Sequence, residues 1–205
     1  MTASPQFKRS PLAMTVLGIL TLEPMHPYGI QRRIKEWGKD QVVNVGQRAG
    51  LYKTIGRLQE AGLVAVRETG RDQQYPERTV YEITDTGRAA CVGWLAEMIA
   101  VPRNEFPEFP AALSSMMLLG PDGARAELAR RADALRARLA DMDRDAELAA
   151  KLGLPRVTAL EDEYLRAVTV AELAWVDGVV ADLTTGRLTW SWESLAPHVD
   201  RSSDA

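Results

Sequence analysis

The chain has 205 residues, 46% of them hydrophobic, and a formal charge of −3 from 25 Lys and Arg against 28 Asp and Glu. That composition supports a buried core and excludes wholesale disorder. A single cysteine, Cys91, excludes an internal disulfide framework, and no apolar run approaches the ~18 residues of a membrane span.

No small-residue cleavage signal follows the apolar stretch Leu12–Leu22, so a signal peptide is not expected and a cytoplasmic protein is. Charge is uneven along the chain. Residues 1–89 carry 13 Lys and Arg against 9 Asp and Glu, a net of +4, and the remainder carries 12 against 19, a net of −7. A basic front and an acidic back suggest two modules, of which the first suits an anionic partner.

Residues 1–10 are polar and read as a flexible lead. Leu12, Val16, Ile19 and Leu20 recur at helical spacing, and Glu23-Pro24 with His26-Pro27 ends that helix. Pro27 suits the first turn of a second helix, whose apolar face is Ile30, Ile34 and Trp37 and whose stop is Gly38. In a third helix Leu51, Ile55 and Leu58 form one buried stripe. Ala49, Lys53, Gly56, Arg57 and Glu60 lie opposite, with Tyr52 on the flank. Asn44 and Gln47 are the candidate capping box of that helix, and Gly62 fits its left-handed end.

Two strands, Leu63–Glu68 and Thr79–Ile83, follow, with Tyr81 and Ile83 as core residues. The polar tip between them carries Arg71, Gln73, Gln74 and Arg78. Three helices and a hairpin in this order make a winged helix-turn-helix.

Thr84-Asp85-Thr86-Gly87 opens a further helix with Cys91, Trp94, Leu95, Met98 and Ile99, and Pro102, Pro107 and Pro110 mark a linker. A short apolar helix is predicted over Ala111–Leu119, then a long one from Asp122 to about Leu152 with Leu128, Leu135, Leu139 and Met142 on one side. The last long helix runs from about Thr158 to Thr185, with Leu160, Tyr164, Val168, Ala171, Trp175, Val179 and Leu183 as its buried face. Joined by Gly153 and Pro155, the two form an antiparallel hairpin. The predicted fold is mainly α with a small β-hairpin. Its parts are a lead over 1–10, a winged helix-turn-helix over 11–89, a linker helix and helical dimerisation domain over 90–190, and a tail over 191–205.

Pro27-Tyr28-Gly29-Ile30, Leu51-Tyr52 with Leu58, Gly62-Leu63-Val64 and the run Tyr81-Glu82-Ile83-Thr84-Asp85-Thr86-Gly87-Arg88 occur in an order and spacing that resembles the PadR family of transcriptional regulators. The likeness spans roughly residues 11–190. Where the family usually has Pro after the Leu-Tyr pair, Thr before it and a small hydroxyl residue opening the recognition helix, this chain has Lys53, Gly50 and Gln47. The resemblance implies a dimeric DNA-binding regulator, a repressor, that reads a dyad operator.

On this reading Gln47, Arg48, Tyr52, Lys53 and Arg57 meet the DNA from the third helix, and Arg71, Gln73, Gln74 and Arg78 from the wing. Tyr28 is either a core residue or a phosphate contact. Trp94 and Met98 are the candidate lining of a pocket for a small apolar or aromatic effector. Leu128, Leu135, Leu139, Tyr164, Val168, Trp175 and Val179 are the candidate dimerisation residues. An enzyme is the rival class, but His26, His198 and Cys91 have no zinc spacing, and no phosphate loop or nucleophile elbow is present. No cofactor or metal is expected. A winged-helix protein adaptor that does not bind DNA is the alternative.

Overall fold

The computed structural model describes residues 7–70 and 78–194, with only the backbone described at 69, 70 and 78. The chain divides into two compact units between Asn104 and Glu105.

In the first unit α1 (Pro11–Leu20) starts at Ser10, whose Oγ accepts the Ala13 N–H at 3.2 Å. Pro11, the first residue of the helix, has no N–H to leave unpaired. Helix α2 (Pro27–Glu36) begins the same way, with His26 Nδ1 accepting the Gly29 N–H at 2.8 Å. A short 3₁₀ turn, Lys39–Gln41, follows the left-handed Gly38 and leads towards α3 (Arg48–Glu60). Val16, Leu17, Ile30, Ile34, Leu51, Ile55 and Leu58 interlock as one core, sealed by Val43 and Val45 from the connection.

Strands β1 (Val64–Gly70) and β2 (Arg78–Ile83) pair antiparallel, with Val64 opposite Ile83 and Gly70 opposite Arg78. The register shifts between Val66 and Glu68, which bulges β1 at Arg67. Met25 and Tyr81 exchange both backbone hydrogen bonds, at 2.9 and 3.0 Å, so the link between α1 and α2 is tied to β2. Helix α4 (Asp85–Ala100) then packs on α1.

The predicted apolar helix over 111–119 is instead α5 (Glu108–Leu113) followed by a 3₁₀ turn, Met116–Leu119. It starts earlier because Pro107 can precede a helix, and Phe109 anchors it in the second core. Helices α6 (Gly120–Lys151) and α7 (Leu160–Thr185) form the antiparallel hairpin, turning at Gly153, which has φ +64°. Ala124, Leu128, Ala132 and Leu135 of α6 meet Leu173, Val176, Val180 and Leu183 of α7. Arg131–Glu172, Arg136–Asp177 and Arg166–Asp143 cross between the two helices. The Trp190 indole N–H donates to the Met117 carbonyl at 3.0 Å, fastening the end of the described chain to this unit, while Trp192 is exposed.

The predicted buried face of α7 needs correction. Leu160, Tyr164, Val168 and Trp175 are exposed, by 48, 68, 45 and 48%. Leu183 is buried as predicted, but the stripe facing α6 reaches it through Thr169 and Val176. Thr169 is buried because its hydroxyl donates to the Leu165 carbonyl at 2.7 Å, so a polar letter sits in the core. Reading only apolar letters therefore set the face about 100° off. Leu128 and Leu135, expected at a dimer contact, are buried within one chain, while Leu139 and Val179 are partly buried there. Of the predicted lead, residues 1–6 lie outside the described residues and 7–10 are in contact with the first unit. Phe7 packs against the first core, and Arg9 is ion-paired with Glu97 of α4.

Candidate nucleic-acid interface

Helix α3 is held from three directions. Leu51, Ile55 and Leu58 plug it into the core, with at most 1% exposure. At its start, the buried Gln31 side chain on α2 donates from Nε2 to the Val45 carbonyl at 2.8 Å, pinning the connection just before the helix. At its end Gly62, with φ +69°, turns the chain into β1. The Gly62 carbonyl accepts the Thr84 hydroxyl at 2.8 Å, and Thr84 Oγ in turn accepts the Gly87 N–H at 3.0 Å, capping α4.

The expected capping box at Asn44 and Gln47 is not formed. Gln47 is the N-cap residue but makes no side-chain cap bond, and Asn44 Oδ1 accepts the Gly46 N–H at 3.0 Å within its own turn. The Gln47 side chain is thus exposed and free of capping duty.

Gln47, Arg48, Tyr52, Lys53 and Arg57 are all exposed on the side of α3 away from the core. Tyr28, at the start of α2, is 54% exposed, so it is a surface residue and not a core one. The Arg48 guanidinium lies 5.9 Å from the Tyr28 ring centroid, which brings α2 and α3 together at the head of the helix. Arg71, Gln73 and Gln74 lie outside the described residues, and Arg78 is placed by its backbone in β2.

In this unit Arg9, Arg32, Arg33 and Arg67 pair with Glu97, Glu36, Glu23 and Glu82, Arg103 also pairs with Glu97, and Arg88 donates to the Thr21 carbonyl. Among the described residues no carboxylate pairs with Arg48, Lys53 or Arg57. The helix carries one acid, Glu60, at its last position. The α3 surface therefore presents unneutralised cations and a phenol beside small residues, Ala49, Gly50 and Gly56. No added Cβ at Gly50 or Gly56 would meet anything within 4 Å. Such a low, cationic face can enter a groove lined by phosphates.

Residues 16–92 match the family model described as the transcriptional regulator PadR-like family. The N-terminal module is thus similar to that family. Among solved structures, Bacillus subtilis PadR in complex with operator DNA has a TM-score of 0.70 at 18% identity, covering 85% of this chain and 99% of that one. B. subtilis PadR in complex with p-coumaric acid has a TM-score of 0.67 at 18% identity, with 84% and 98% covered. The Vibrio cholerae virulence activator AphA has a TM-score of 0.60 at 22% identity, with 85% and 98% covered. These likenesses extend the shared fold beyond the PadR-like module into the helical unit. No curated protein matches.

Trp94 and Met98 are partly buried on α4. Trp94 is stacked on Phe7 and packs against the first core, which leaves less open apolar lining there than the sequence suggested. Two neighbouring grooves lie in the second unit. One of about 450 Å³ is lined by Phe109, Leu113, Met116, Leu128 and Arg131, and a neighbour adds Val168 and Trp175. Phe109 is central to both. It meets Trp175 edge-on at 6.1 Å, and the Arg131 guanidinium lies 3.5 Å from its centroid. Phe109, Gln31 and Phe7 escaped sequence reasoning. Only Phe109 left a signal there, as an aromatic flanked by Pro107 and Pro110. No group of three or more metal-ligating side chains exists among the described residues, and no described helix is long and apolar enough to cross a membrane.

Proposed function

We propose that this chain is a sequence-specific DNA-binding transcriptional regulator, a repressor that works as a homodimer on a dyad operator in the cytoplasm, associated with the nucleoid while bound. One observation carries the reading. Arg9, Arg32, Arg33, Arg67 and Arg103 of the first unit pair with carboxylates, whereas among the described residues Arg48, Lys53 and Arg57 have no carboxylate partner on the exposed face of a PadR-like third helix. Unpaired cations on a helix that fits the major groove gain affinity by releasing counterions from phosphates. Gln47, Tyr52, Lys53 and Arg57 serve base edges and nearby phosphates, while Tyr28 and Arg48 meet the backbone. Arg71, Gln73, Gln74 and Arg78 are assigned to the wing contact from the sequence.

The solvent-facing stripe Leu160, Tyr164, Val168 and Trp175 supports a second copy as the partner of α7. The relative bound to p-coumaric acid supports release by a small apolar or aromatic effector. The reading assigns the chain no catalysis and no cofactor. A protein-binding adaptor would leave the α3 cations without a task.

Selection of DNA from a random pool by the full-length protein tests the proposal. The expected product is a palindromic sequence with half-sites about one helical turn, or a multiple of it, apart. Recovery of no common sequence would contradict the reading.

A further inference from the structure

The segment ahead of α1 bridges two helices to which the DNA reading gives different tasks. The Phe7 ring stacks on Trp94 of α4, with centroids 5.4 Å apart and planes inclined by 20°. Over the same Phe7 ring lies the Arg57 guanidinium of α3, 5.1 Å from its centroid. Two residues on, the Arg9 side chain is 8% exposed and ion-paired with Glu97, also on α4. The segment is thus fastened to α4 at Trp94 and at Glu97, three positions apart, while its aromatic face is offered to α3. Burial alone does not require that arrangement, because a leucine would fill the same core edge. A π face is required to hold a guanidinium. An arginine on an exposed helix otherwise samples many rotamers, and ordering it on DNA loses that freedom.

We propose that Phe7 is a positioning residue that holds Arg57 ready for DNA, with Trp94 and the Arg9–Glu97 pair as its backing. The inference rests on α3 being the DNA-binding face. It extends the recognition surface to a residue outside the PadR-like module, which begins at residue 16.

The test is a double-mutant cycle in the full-length protein. Phe7→Leu and Phe7→Met remove the ring but keep an apolar side chain. Phe7→Tyr keeps the ring, and Arg57→Met removes the cation. Each variant is titrated with the sequence the parent enriches from a random pool, and with random DNA of equal length. Phe7→Leu and Phe7→Met are expected to weaken binding to the enriched sequence by about 2- to 5-fold. Phe7→Tyr is expected to match the parent, and Phe7→Leu to add nothing in the Arg57→Met background. An equal loss in both backgrounds would show general support of the fold and overturn the proposal. Parent-like binding by both ring-less variants would overturn it too and leave the DNA reading standing. If the parent enriches no sequence, the DNA reading falls and this proposal with it.

Discussion

At the scale of single residues, the position of α3 depends on a few polar or small side chains that composition does not reveal. Gly87 is one. A Cβ there would run into the Leu63 carbonyl and would lie 2.9 Å from Ile83 Cγ1, because α4 starts directly against the chain entering β1. Gly87→Ala is therefore expected to destabilise the protein by about 1–3 kcal/mol through overpacking, read from chemical denaturation. Gln31 is another. Replacing it with Leu would leave the buried Val45 carbonyl without its donor, at about 1–3 kcal/mol. That variant should lose DNA affinity as well as stability, because the lost bond sits immediately before the recognition helix. Unchanged melting and unchanged DNA binding in Gln31→Leu would show that the connection is held by Val43 and Val45 packing alone.

At the scale of elements, the hairpin of the second unit carries ion pairs that respond to acid. The Arg166 guanidinium donates to Asp143 at 2.6 Å and holds that carboxyl below its ordinary value of 3.8. Arg156 does the same for Glu163, below 4.5, beside the turn. A depressed folded pKa stabilises the fold above the unfolded value and stops doing so as pH falls through the folded one. The hairpin should accordingly lose stability below about pH 4. Asp143→Asn should flatten part of that dependence, measured as melting temperature against pH. An unchanged acid profile in Asp143→Asn would remove the pair from the account.

Much of this architecture was legible in the sequence, because strong periodicity and chain punctuation agree. Leu51, Ile55 and Leu58 fix the buried side of α3, and so also its exposed cationic side. Pro27, Gly62 and Thr84 mark element ends with their own backbone chemistry. What escaped has physical reasons. Thr169 hides its hydroxyl inside its own helix and shifts the buried face of α7. Asn44 satisfies its own turn and leaves Gln47 free. Phe7 and Gln31 act through partners 87 and 14 positions away, Trp94 and Val45, which no local pattern encodes.

At the scale of the whole molecule, the proposed function needs two copies, because one winged helix covers only one half-site. The exposed stripe on α7 is the surface assigned to that pairing. Val168→Asp would place a carboxylate in its middle without touching the Thr169, Val176 and Leu183 side that packs on α6. Light scattering should give twice the chain mass for the parent and the single mass for Val168→Asp, with helicity retained. A monomeric parent at micromolar concentration would contradict the assignment. The central claim, that the unpaired cations of α3 read DNA, is tested most directly by titrating parent, Lys53→Ala and Arg57→Ala against enriched and random DNA at several salt concentrations. The account predicts that each substitution lowers discrimination between the two DNAs by about 1–3 kcal/mol if its cation meets a base. Where the cation meets a phosphate, the salt slope should fall by about one unit on both DNAs alike. Parent-like affinity, discrimination and salt slope in both variants would contradict it.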